Sequence, residues 1–118
     1  MKVTKVPENG SSFVDYEVNG NVISFGDDEI SANLKKKERD EIVKIDVCED
    51  FYGGLTFAPA GARVYVAEIV IPAREYTEQQ ISNPNYDPED ESSQEFITER
   101  VPVPFDMDKV ELALFELV

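Results

Sequence analysis

Apolar and polar side chains alternate along much of this chain, and that period predicts strands. Residues 13–18 place Val14, Tyr16 and Val18 on one face and Asp15 and Glu17 on the other. The Asn19-Gly20 dipeptide that follows is a two-residue hairpin signal, because both residue types tolerate positive φ, and residues 21–25 then form the return strand. Ile30, Ala32 and Leu34 keep step in a further short strand, and Val43, Ile45 and Val47 stand opposite Lys44 and Asp46 in another. The charged residues 35–41 between these two have no apolar face to dock and read as a solvated loop.

The strongest strand spans residues 63–71. Tyr65, Ala67, Ile69 and Ile71 share one face and Val64, Val66, Glu68 and Val70 the other, so both sides are largely apolar and the strand belongs at the centre of a sheet, ending at Pro72. Residues 96–104 also alternate, with Ile97, Val101 and Val103 aligned, but Pro102 and Pro104 cannot donate to a ladder and assign this segment to an edge. Residues 109–118 fit both periods. The strand, with Val110, Leu112 and Leu114 in step, is preferred because a helix would leave Leu112 and Phe115 off its apolar face. A short segment around Leu55 to Phe57 lies between the turn clusters Phe51-Tyr52-Gly53-Gly54 and Pro59-Ala60-Gly61.

The expected fold is therefore all-β, a small antiparallel sandwich or open barrel of about seven short strands in one domain. Residues 75–95 are the exception to the pattern. They contain Pro84, Pro88 and a run of acids, and by composition they predict a long, mobile loop.

Composition adds two constraints. With 42% hydrophobic residues the 118-residue chain has enough apolar material for one core. Its net charge of −14, from 25 Asp+Glu against 11 Lys+Arg, argues against nucleic acid or an anionic membrane as partner and for a basic protein or a cation. From residue 75 to residue 99 the acids Glu75, Glu78, Asp87, Glu89, Asp90, Glu91, Glu95 and Glu99 occur with no Lys or Arg among them. The N-terminal residues lack a signal-like apolar region, no apolar run has the length of a membrane span, and a single cysteine fits a reducing compartment, so the expected location is cytoplasmic.

Catalytic chemistry finds few carriers. Histidine is absent, which removes the commonest general base at neutral pH and the usual nucleophile pairs. No phosphate-binding glycine loop is present, and Cys48, followed by Glu49 and Asp50, has no neighbour to lower its pKa and reads as a packing residue. A carboxylate pair for glycoside chemistry is formally available, but among so many acids it carries no specificity. The basic group Lys35, Lys36, Lys37 and Arg39 is interleaved with acids and has no aromatic companions, as a solubilising tip would be.

The expected function is non-enzymatic and needs no cofactor: an interaction or accessory module acting on a protein partner through a sheet edge or the acidic loop. Candidate partner-binding residues are Tyr52, beside two glycines in a turn, and Phe96, Thr98 and Arg100 on the edge segment. The alternative is a divalent-cation domain in which Asp87, Glu89, Asp90 and Glu91 supply calcium ligands, although the spacing is not that of an EF-hand. An acidic decoy of nucleic acid would need spread rather than clustered carboxylates.

Overall fold

The computed structural model describes residues 1–117. It is all-β and divides into two compact units: Met1–Ala73 together with the chain from Phe105 onward, and Arg74–Pro104.

The first unit holds two sheets. One has the order β1 (Lys2–Val6), β10 (Glu111–Phe115), β7 (Ala62–Ile71), β5 (Val43–Asp50) and β6 (Leu55–Thr56); the other is β2 (Tyr16–Asn19), β3 (Val22–Phe25) and β4 (Ile30–Asn33). Ile23, Phe25, Ala32 and Leu34 from the smaller sheet and its flank join Val47, Ala67, Ile69, Ile71, Leu112 and Leu114 from the larger in one buried cluster. Two inward faces meeting in one core are the sandwich that the alternation predicts. The central strand is β7, paired to β10 on one side and β5 on the other, with Ile69 between Leu112 and Ile45. The C-terminal segment is the strand β10, preceded by a single 3-10 turn at Met107–Lys109 that Asp106 caps by accepting the Asp108 N–H at 3.0 Å.

Four details depart from the sequence expectation. The Asn19-Gly20 hairpin forms one position later: Asn19 pairs with Val22 as the last strand residue, and Gly20 (φ +63°) is the first of two turn residues, where a primed turn requires positive φ. Tyr65 leaves the core face. The β5–β7 register jumps from Val47↔Ala67 to Cys48↔Tyr65, so Val66 is an extra bulge residue; it turns inward beside Ala67, and Tyr65 is left 52% exposed. β1 pairs parallel to β10, so the larger sheet is mixed rather than antiparallel throughout. The charged residues after Leu34 begin with a 3-10 turn, Lys35–Lys37, all of it exposed.

The largest correction concerns residues 75–95, which are not one long loop. Tyr76–Ser82 is a strand, β8, paired antiparallel over its full length with β9 (Phe96–Pro102), and the unstranded connection shrinks to residues 83–95. Pairing explains the miss. β8 is polar, yet Ile81 faces Ile97, Thr77 faces Val101, and the Arg100 guanidinium stacks 3.7 Å from the centre of the Tyr76 ring, contacts that exist only across the ladder.

Candidate interaction surface

The second unit is a sheet of two strands and, among the described residues, has no third. Its hydrogen-bond parity follows from the ladder ends. Val103 N–H donates to Glu75 C=O at 2.8 Å and Asn83 N–H donates to Glu95 C=O at 2.8 Å, so odd-numbered residues turn their amides and carbonyls toward the opposite strand. Even-numbered residues turn theirs away. On β9 this puts the N–H and C=O of Phe96, Thr98 and Arg100 on the outer edge, with no backbone partner among the described residues, while Pro102 ends the row of donors. The outer edge of β8 carries Glu78, Gln80 and Ser82 in the same way.

Three of the four sequence-derived partner residues are thus neighbours on one edge. Phe96 is 52% exposed, and Thr98 and Arg100 are exposed as well. Their side chains share one face of the hairpin with Tyr76, Glu78 and Gln80, and the half-buried Ile81, Ile97 and Val101 occupy the other face. Tyr52 belongs to the first unit.

Tyr52 sits in a turn built by Asp50. The Asp50 carboxylate accepts the Tyr52 N–H at 2.8 Å and the Gly54 N–H at 2.9 Å, Gly53 takes φ +83°, and the Asp50 N–H donates to Gly54 C=O at 2.9 Å. Fixed in this way, the turn presents Tyr52 98% exposed and Phe51 72% exposed. Phe51 is not among the sequence-derived candidates, although its place directly before Tyr52 and the two glycines is the signal that identifies it.

The acids of the 83–95 connection make local turn contacts. One Asp87 oxygen accepts the Glu89 N–H at 3.0 Å, and one Asp90 oxygen accepts both the Ser92 N–H at 2.9 Å and the Ser92 hydroxyl at 2.7 Å. The Ser92 contacts hold the Asp90 carboxyl below its ordinary pKa. Backbone bonds Tyr86 N–H to Asn83 C=O, Asp90 N–H to Asp87 C=O and Ser93 N–H to Asp90 C=O make the connection a chain of turns. Among the described residues no three His, Cys, Asp or Glu side chains converge as metal ligands, so Asp87, Glu89, Asp90 and Glu91 are adjacent in sequence without forming a coordination sphere.

Elsewhere in the first unit an open depression of about 600 Å³ is lined by Asp46, Val64, Tyr65, Glu68 and Phe115. Asp46 and Glu68 stand directly opposite each other in the β5–β7 register, a like-charge pairing that costs stability. Cys48 is buried nearby in sequence, and burial first, then the Asp46 charge, pushes its thiol pKa up, which lowers the thiolate fraction that a nucleophile needs. No helix among the described residues is long and apolar enough to cross a membrane. Compared with protein-family models, curated proteins and solved structures, the chain matches none.

Proposed function

We propose that this chain is a non-enzymatic protein-interaction module of the cytoplasm, which binds by adding an extended strand to the free edge of β9. The observation that carries this reading is the row of outward N–H and C=O groups at Phe96, Thr98 and Arg100 in a sheet of only two strands. Such an edge offers main-chain hydrogen bonds for affinity, and the exposed side chains between them supply selectivity. Asp87, Glu89, Asp90, Glu91 and Glu95 in the adjoining connection, with no Lys or Arg between residues 83 and 95, make binding to any acidic partner depend on screening by salt.

Parity gives the test. Thr98→Pro removes an outward donor and leaves the β8–β9 ladder intact, whereas Glu99→Pro removes a donor inside that ladder. Proteins captured by the intact chain are to be compared with those captured by Thr98→Pro. An added strand left with an unmet carbonyl should bind about tenfold more weakly or worse. Capture unchanged by Thr98→Pro, in a protein whose hairpin is still folded by amide chemical shifts, would overturn edge binding.

A further inference from the structure

The row of outward donors on β9, Phe96, Thr98 and Arg100, is self-complementary about Thr98. We infer that the strand it accepts is β9 of a second copy of this chain, giving a two-fold dimer. This pairing rests on the strand-addition reading above and names the occupant.

With two β9 strands antiparallel and centred on Thr98, Thr98 faces Thr98 of the second copy, Phe96 faces Arg100 of the second copy, and Arg100 faces Phe96 of the second copy. All three residues direct their backbone groups outward, so each facing pair exchanges two N–H···O bonds. A residue that meets its partner reciprocally is what a closed two-fold interface requires. On the face these three share, the side-chain pairs are favourable: threonines pair well across strands, and a guanidinium over an aromatic ring gains cation–π attraction; the other face sets Ile97 against Glu99 of the second copy, with no like charges opposed. Arg100, already stacked on Tyr76 of its own hairpin, would lie between that ring and Phe96 of the second copy, covering a Phe that is otherwise 52% exposed.

Neighbouring registers are worse. Centring on Glu99 sets Glu99 against itself, centring on Arg100 sets Arg100 against itself, and centring on Ile97 sets Glu99 against Glu95. Pro102 lies beyond the three facing pairs and withholds no donor from them. The even-numbered side of β8 holds Tyr76, Glu78, Gln80 and Ser82, and β8 contains no Lys or Arg to face Tyr76, whose ring Arg100 already covers. The net charge of −14 on each copy opposes association, so dimerisation should strengthen as salt rises from 0.01 M to about 0.15 M and the screening length falls from about 30 Å to about 8 Å.

Sedimentation of the intact protein over a concentration series, at the higher salt, tests the dimer. The expected result is a doubling of the 13.3 kDa monomer mass. Thr98→Asp and Thr98→Lys, exposed substitutions that place like charges face to face, should each shift the protein to monomer, and an equimolar mixture of the two should recover the dimer through a mixed Asp–Lys pair. A monomer mass at all concentrations up to about 1 mM, corresponding to about −4 kcal/mol or weaker, overturns self-pairing. So does a dimer indifferent to both substitutions. Strand addition itself would survive either result if another protein's capture remained sensitive to Thr98→Pro, so the two readings fail separately.

Discussion

Phe25→Ala is expected to destabilise the protein by about 3–5 kcal/mol, the range for truncating a buried phenylalanine. Phe25 is fully buried at the end of β3, where it joins the smaller sheet to the shared core and meets the Phe57 ring edge-on, with centroids 6.5 Å apart and planes at 77°. Removing the ring opens a cavity between two sheets, and neither can close it without abandoning its own ladder. A urea titration reads the effect as a lowered midpoint. An unchanged slope would locate the loss in stability rather than in the compactness of the unfolded chain. A change below about 0.5 kcal/mol, typical of surface positions, would mean that β2–β4 do not pack on the larger sheet.

Ile69→Ala should cost about 2–5 kcal/mol by the same mechanism. Its side chain is fully buried on the central strand, with Ile45 and Leu112 as its cross-strand neighbours. Because β7 is hydrogen-bonded on both sides, its backbone cannot shift to fill the space, which favours the upper part of the range. The outward-facing Glu68 one position earlier supplies the internal control. Glu68→Gln relieves the opposition to Asp46 and should leave stability equal or slightly higher. If Ile69→Ala were as mild as Glu68→Gln, the assignment of inward and outward faces on β7 would be wrong.

Sequence legibility followed how local each signal was. β7 and β10 were readable because runs such as Ala67, Ile69, Ile71 and Leu112, Leu114 carry their own period, whatever they pair with. Tyr65 was misplaced because a bulge is a property of two strands, and nothing within residues 62–71 says that Val66 will have no opposite number in β5. β1 was missed for a similar reason: all five of its residues are exposed, so no alternation marks it, and its ladder is to β10, more than a hundred residues away in sequence. β8 was hidden by its polarity. A two-stranded sheet has little interior, and residues such as Gln79 and Gln80 satisfy it as well as valines would.

The candidate site was half visible. Alternation alone put Phe96, Thr98 and Arg100 on one side of their segment, and the prolines marked an edge. Which backbone groups of that edge are free depended on the register with β8, which only the structure supplies. Phe51 escaped because the Asp50 carboxylate, through hydrogen bonds that no sequence pattern displays, sets the turn in which both aromatic residues are exposed.

The central claim, a preformed two-stranded unit with one set of unpaired backbone groups, is tested most directly by residue-resolved amide hydrogen exchange on dilute protein. The account predicts a two-residue period along the hairpin. Amides of Thr77, Gln79, Ile81, Ile97, Glu99 and Val101, which point into the ladder, should exchange slowly, and those of Glu78, Gln80, Phe96, Thr98 and Arg100 should exchange fast. Fast exchange at both sets would show that the hairpin is not formed, and slow exchange at Phe96, Thr98 and Arg100 in the monomer would show that the edge is already covered; either result contradicts the account.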